Sequence, residues 1–384
     1  MKERFNIVYY NSRQEQTDGE VYRCLISELN ADLVAWVQRY CADGPVVVIN
    51  AEATLPDYWQ ARLLAPFSDH TVTVVSALST ADYHLSPLPA DFKYPGSARE
   101  LDAVLSVLAP ANTFITDSFN PAIVALRDVE QLVNPETVHI TTNLLVQCED
   151  MPLATEFPDI GDQHPLPAHP MAAIQWQLSQ QPPQCLTTDD YPLFNDKPNV
   201  LHVVMNWGGG VHQWLYDYIA TDDEHNHFVL VSEGEYYRQS YGEKFRVLYG
   251  GIDGLLLDRF ELSPSIDTVA ISHRPYRDML SRIQQRYAIS GLMVSSLIGH
   301  SMDCLSSGLP TVRVLHDYFP HWPGLVARLD VDEIGPAEIK AAVSAKQNSP
   351  FSDVNEQQVE TWQKALNQKL SAPEVRIVAP DQSV

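Results

Sequence analysis

The stretch NVLHVVMNWGGGVHQWL, Asn199–Leu215, decides the fold class. Its first part, Asn199–Met205, is apolar and β-branched, as a buried strand requires. Gly208, Gly209 and Gly210 make a turn, and a helix is expected over Val211–Ala220. Working outward, the alternation repeats. His227–Ser232 and Phe245–Tyr249 read as strands, and Tyr276–Tyr287 reads as a helix. Gly291–Ser296 reads as a strand leading into a helix over Gly299–Ser307, and Thr311–Leu315 as the next strand. Helices follow over Pro336–Ala345 and Asn355–Leu370, and EVRIVAP closes the pattern as a last strand. Strands separated by helices of about ten residues imply right-handed parallel crossovers. The expected fold for 199–384 is α/β, a Rossmann-like doubly wound parallel sheet, with ligands beyond the carboxyl ends of its strands.

Upstream lies a smaller α/β domain, 1–150. Pro45–Asn50 and His70–Leu78 read as strands, and Val21–Tyr40 and Tyr58–Phe67 as helices. Between the two domains, 151–198 is punctuated by prolines and acids and is expected to be a linker. Only Ala172–Gln180 within it has the composition of a short helix.

Composition narrows the function. Of 384 residues, 49 are Asp or Glu and 25 are Lys or Arg, a formal charge of −24. That sign repels phosphate backbones and anionic lipid, so a nucleic-acid partner is not expected. Apolar residues make up 45%, which suits packed domains. No stretch has the run of about 18 apolar residues a membrane helix needs, and the polar start MKERFNIVYYNSRQEQ lacks a signal-peptide core. Cys24, Cys41, Cys148, Cys185 and Cys304 are odd in number and widely spaced. They read as reduced thiols of a cytoplasmic protein.

Four segments have the residue types for chemistry. The glycine turn lets backbone approach a ligand, and the helix behind it offers N–H groups to a phosphate. It is not a dinucleotide fingerprint, since Gln213 stands where the third glycine would fall; Glu233 alone, as a ribose ligand, keeps an NAD-dependent oxidoreductase in view. In TVRVLHDYFPHWP, Thr311–Pro323, a strand ends in His316 and Asp317. An imidazole there binds sugar hydroxyls or, as imidazolium, stabilises developing charge. Tyr318, Phe319 and Trp322 offer faces for a sugar ring or for the core. Ser296 and His300 sit together at a strand end, but no G-x-S-x-G elbow supports a serine nucleophile; capping by Ser296 or Ser301 is the expected role. Glu52, after the strand Pro45–Asn50, is a lone carboxylate and a poor magnesium site. His164, His169, His225 and His227 have no acid or cysteine at ligand spacing, so no metal is expected.

Three strings carry a resemblance: LHVVMNWGGGVHQWL, YAISGLMVSSLIGHSMDCLSSGLPTVRVLHDYFPHWP, and the terminal VRIVAPDQSV. Together they resemble the N-terminal, acceptor-side half of a GT-B glycosyltransferase of family 4. The terminal string differs from the family's Pro-Ser, with Asp381 after Pro380. The resemblance implies transfer of a sugar from a nucleotide-sugar to a glycan or lipid-linked glycan acceptor, with retention at the anomeric carbon. It places Gly208–Gly210 against the donor diphosphate and the acceptor. It makes His316 and Asp317 the catalytic candidates; His300 and Tyr318, read from their own segments, join the expected binding set. The co-substrate is the nucleotide-sugar; no further cofactor is implied.

Residues 20–130 resemble a degenerate family 2, GT-A-like segment, through VVVINAEATLPDYWQARLLAPF and VTVVSALSTADYHLSPLP. Only Glu52 remains of that family's acidic pair. The family 4 donor half, with its paired glutamates, is expected in a further C-terminal domain or a partner chain. Polysaccharide or glycoconjugate synthesis in the cytoplasm, or peripherally at the inner membrane face, is the implied setting. A non-catalytic glycan- or partner-binding module is the alternative.

Overall fold

A computed structural model describes residues 4–17, 21–41, 43–88, 92, 94–109, 112–148, 171–234, 242–322, 335–345 and 354–379. The chain divides into two compact units, Met1–Asn195 and Asp196–Val384. Pro380 and Asp381 lie outside the described residues, as do His164 and His169.

In the first unit the strands are β1 (Asn6–Tyr10), β2 (Val21–Arg23), β3 (Val46–Asn50), β4 (Ala53–Thr54), β5 (Val74–Leu78), β6 (Thr113–Thr116), β7 (Ile123–Leu126), β8 (Val138–Leu145) and β9 (Gln147–Cys148). The helices are α1 (Ala31–Tyr40), α2 (Trp59–Leu64), α3 (Ala98–Leu108) and α4 (Ala172–Ser179). Seven strands form one sheet in the order β2-β1-β3-β7-β5-β8-β6, while β4 and β9 pair as a separate ribbon. β1, β2, β3, β5 and β8 point one way, and β6 and β7 oppose them. Val47, Ile49, Val75, Ala77, Ile123 and Leu144 are shielded from water and form the core with Leu63 and Phe67 of the α2 region.

Local chemistry sets the boundaries. The expected helix over Val21–Tyr40 is instead a strand, β2, followed by a helix that starts only at Ala31. The Asn30 side chain accepts the N–H groups of Asp32 and Leu33 at 3.0 and 3.3 Å and so fixes that start. Ser97 and Glu100 form a reciprocal capping box on α3.

The expected linker 151–198 needs correction over its second half. Residues 149–170 lie outside the described residues, but 171–195 belong to the first unit. Met171 and Leu178 are fully buried. The Gln175 amide donates to the carbonyls of Ser86 and Leu88, and the Tyr94 hydroxyl donates to the Leu186 carbonyl.

Arg62 holds this region together. Its guanidinium, wholly buried, makes a two-pronged pair with Asp102 at 2.7 and 2.8 Å and also donates to the carbonyls of Asp57 and Asn143. Asp102 in turn accepts the Leu145 N–H at 2.7 Å and the Tyr191 hydroxyl at 3.0 Å. The Tyr191 and Phe194 rings lie 5.4 and 5.6 Å from the Arg62 guanidinium. Proline-rich chain is thereby ordered by one buried cation.

The second unit contains β10 (Asn199–Met205), α5 (Gly210–Thr221), β11 (Asn226–Glu233), β12 (Lys244–Tyr249), β13 (Leu255–Glu261), α6 (Arg274–Arg286), β14 (Ile289–Val294), β15 (Thr311–Val314), α7 (Pro336–Ala345), α8 (Glu356–Leu370) and β16 (Val375–Val378). They make a seven-stranded sheet in the order β13-β12-β11-β10-β14-β15-β16. β11, β10, β14, β15 and β16 are parallel. The sheet is mixed rather than wholly parallel, because β12 and β13 run antiparallel beside β11. Residues 250–254 are all that join β12 to β13, far short of the dozen or so a parallel crossover needs. The helix expected from Gly299 is a turn followed by a short 3-10 segment, Met302–Ser306, capped by Ser301.

Among the described residues no helix is long and apolar enough to cross a membrane. Removing one partner of a buried, hydrogen-bonded ion pair leaves an uncompensated charge. Arg62→Leu is therefore expected to lower stability by about 3–5 kcal/mol in urea unfolding followed by circular dichroism. An unchanged midpoint would show that the pair does not order the 171–195 region.

Candidate functional site

From β10 the chain passes through α5 to β11 on one side, while β14 lies on the other side of β10. The connections leave in opposite directions there, so a crevice opens beyond the carboxyl ends of these strands. Its floor is the end of β10, whose last three carbonyls all have partners. Val203 O accepts the N–H groups of Ser295 and Ser296 at 3.0 and 3.2 Å. Val204 O lies 2.8 Å from His300 Nε2, and Met205 O lies 2.8 Å from His212 Nε2. A carbonyl only accepts, so each imidazole is the donor through Nε2–H.

These bonds decide the fate of His300. Its ring is fully buried, its Nε2 faces Val204 O, and its Nδ1 accepts the Tyr276 hydroxyl at 3.0 Å. Both nitrogens are occupied, and burial pushes the imidazole down to about 4. His300 therefore leaves the expected binding set and becomes a positioning residue. Ser296 is buried with its hydroxyl accepting the Ile298 N–H, a turn role.

The glycine turn lies at the opposite wall. Gly208 and Gly209 have φ of 73° and 75°, the left-handed region that favours glycine. A Cβ built at Gly208, Gly209 or Gly210 would meet nothing within 4 Å, so all three face open space. Among the described residues no side chain caps α5. Next to Gly209 a cleft of about 380 Å³ is lined by Asn206, His212, Gln213, Tyr216, Arg246 and Asp253. Its guanidinium is partnered: Arg246 Nε lies 2.5 Å from Glu233. The carboxylate considered for a ribose thus has an arginine partner.

His316, Asp317 and Tyr318 follow the end of β15. The Trp214 ring of α5 meets the His316 ring edge-on at 4.9 Å, which links the glycine-turn helix to the end of β15. His316 Nε2 is buried and has no hydrogen-bond partner among the described residues. Burial, then the nearby Arg313 guanidinium, lowers its imidazole to about 4, so it is neutral near pH 7. Of the two expected roles, a neutral ring suits hydrogen bonding. Burial raises the Asp317 carboxyl above its ordinary range, against the pull of Arg313. Asp317 Oδ1 accepts the Phe319 N–H at 3.0 Å. Tyr318 is 40% exposed, open to a ring ligand, whereas Phe319 and Trp322 are buried.

Two residues of this arrangement escape the sequence reading. Arg313 is buried beneath the loop and donates to the carbonyls of Val294, Val314 and Phe319. Trp214 sets the position of His316. Glu52 of the first unit is exposed beside Asn50, whose side chain accepts its N–H at 2.9 Å. Among the described residues no group of three or more His, Cys, Asp or Glu converges as metal ligands would. The chain matches no protein-family model, no curated protein and no solved structure.

Histidines held neutral by burial tie stability to pH. His202 is pushed down to about 3, and His300 and His316 to about 4, from an ordinary 6.5. Unfolding releases them to bind protons, so the unfolded state gains as pH falls through 6.5 toward 4. The thermal midpoint is expected to drop between about pH 7 and pH 4.5. His300→Gln is expected to take up about one proton fewer on unfolding near pH 5, read by calorimetry in buffers of different ionisation enthalpy. Equal uptake would contradict a neutral His300.

Proposed function

We propose that the second unit is the acceptor-side, Rossmann-like half of a GT-B glycosyltransferase. The reaction is sugar transfer from a nucleotide-sugar to a glycan or lipid-linked glycan, with retention, in polysaccharide or glycoconjugate synthesis. One observation carries the reading. An open glycine turn stands at a helix N-terminus, a neutral imidazole has no Nε2 partner among the described residues, and the Trp214–His316 contact joins the two elements. The first unit is then a degenerate GT-A-like domain with a lone acid, Glu52. The donor's nucleotide is held by a second Rossmann-like domain, in this polypeptide or another.

In this reading the anomeric carbon–oxygen bond breaks, and the electron pair leaves with the nucleoside diphosphate. The acceptor hydroxyl oxygen forms the new bond on the same face, and its proton passes to the leaving diphosphate oxygen. Charge builds on the leaving phosphate, and preorganised N–H dipoles stabilise it without reorganising. Gly208 and Gly209 let the backbone come close to that phosphate, and the first-turn N–H groups from Gly210 onward face it. His316, uncharged, hydrogen-bonds the sugar through its unpartnered Nε2. Asp317 holds the loop through the Phe319 N–H, and Tyr318 offers its exposed face to the ring. The Glu233 carboxylate, the ribose ligand of the oxidoreductase alternative, is paired with Arg246.

Titration calorimetry of the chain against a panel of nucleotide-sugars and NAD tests the reading. A nucleotide-sugar is expected to bind, at least about tenfold more weakly in Gly209→Val, whose side chain blocks the close approach. NAD binding without nucleotide-sugar binding would overturn it. In a turnover assay of the chain together with its donor-binding domain, following nucleoside diphosphate release, His316→Ala is expected to cut the rate about 100-fold, as loss of a transition-state hydrogen bond does. An unchanged rate would remove His316 from the site.

A further inference from the structure

The cleft of about 380 Å³ beside Gly209 has side-chain chemistry of its own. His212 and Tyr216 come to it from α5, Arg246 from β12, and Asp253 from the turn that joins β12 to β13. Asn206, directly after β10, places it at the carboxyl edge of the parallel strands, where open α/β sheets bind ligands.

His212 points to the ligand. Its Nε2–H donates to Met205 O at 2.8 Å, which fixes the ring and, in the neutral imidazole, leaves the lone pair on Nδ1. Among the described residues Nδ1 has no partner, and the half-buried ring lines the cleft. A lone pair held in place takes a donor. An ionised carboxylate or a phosphate diester has no proton to give, whereas a hydroxyl has one. Tyr216 narrows the choice among hydroxyl-bearing ligands. It stands four residues after His212 on the same helix, so the two side chains are neighbours on one face. Its ring is 67% exposed at the cleft, an amphipathic surface suited to the C–H face of a sugar.

Charge acts in the same direction. The Arg246 guanidinium has Glu233 at 2.5 Å, and Asp253 adds a carboxylate to the lining, so the cleft has no surplus cation for an anionic group. We infer, on the glycosyltransferase reading of this unit, that the cleft takes the terminal sugar of the acceptor and that this sugar is uncharged. One of its hydroxyls donates to His212 Nδ1, and its ring lies on Tyr216. The reacting hydroxyl gives its proton to the leaving diphosphate, so His212 reads a neighbouring hydroxyl of the same sugar. His212 and Tyr216 thereby set specificity and take no part in bond making.

The test titrates the full chain, by saturation-transfer NMR and calorimetry, with methyl glycosides and disaccharides of glucose, galactose, mannose and N-acetylglucosamine, and with their uronic acid counterparts. At least one neutral sugar is expected to bind, and its acidic counterpart at least about tenfold more weakly. Tyr216→Ser changes an exposed side chain, and His212→Gln keeps an amide donor for Met205 O while removing the Nδ1 lone pair. Each is expected to weaken binding about tenfold with the circular dichroism spectrum retained. Among singly deoxygenated analogues of the sugar that binds, one is expected to bind the wild type and His212→Gln equally, because it lacks the hydroxyl that His212 reads. Binding of no neutral sugar, tighter binding of the acidic ones, wild-type affinity in both variants, or a His212→Gln loss shared equally by every deoxy analogue would overturn the assignment. Nucleotide-sugar binding without saccharide binding contradicts the cleft assignment alone. Saccharide binding without nucleotide-sugar binding contradicts the glycosyltransferase reading, and the acceptor role with it.

Discussion

The carboxyl end of β10 is the constraint on which the second unit depends. A strand that ends inside a protein must find partners for its last carbonyls, because a buried polar group without one is costly. Here Val203 O takes two N–H groups from the turn after β14, Val204 O takes His300, and Met205 O takes His212. One set of bonds pulls the β14 side onto the strand, and the other pulls α5 onto it. The space between the two is the crevice. Its walls are therefore set by the hydrogen-bond accounting of three peptide groups.

Burial then divides the histidines into two kinds. His300 and His212 have carbonyl partners and act as struts. His316 has its Nε2 buried without a partner among the described residues and is kept neutral by the same desolvation that lowers His300. His300, with both nitrogens engaged, has nothing left to offer a ligand, while the His316 ring does. Arg313 works from below, donating to carbonyls on both sides of the His316–Tyr318 loop, so the loop has a fixed course before any ligand arrives. The first unit solves a similar problem with Arg62, which gathers α2, α3, β8 and the 171–195 chain around one buried cation.

Much of the alternation was legible because buried parallel strands are short apolar runs with turns between them. NVLHVVM, HFVLVS and TVRVL announce themselves in this way. β13, LLLDRFE, does not: its second half alternates exposure at the hairpin edge, and its pairing follows from a loop too short to cross over. Residues 171–195 read as linker because proline counts there, whereas the burial of Met171, Leu178 and Tyr191 depends on residues 80 or more positions away, beyond any local pattern. His300 was misplaced for the same reason, its partners being Val204 and Tyr276. Arg313 hid inside a strand pattern that seemed to need only apolar faces. The glycine turn and His316 were visible because each sits where a periodic run stops.

The central claim is that the crevice beyond β10 is where ligand meets this chain. Hydrogen–deuterium exchange of the full chain, with and without a nucleotide-sugar and a glycan acceptor, tests it most directly. The account predicts slower exchange at the amides of Gly208–Trp214 and Leu315–Phe319, together, on ligand addition. Protection confined to other segments, or none in either of these two, would contradict it.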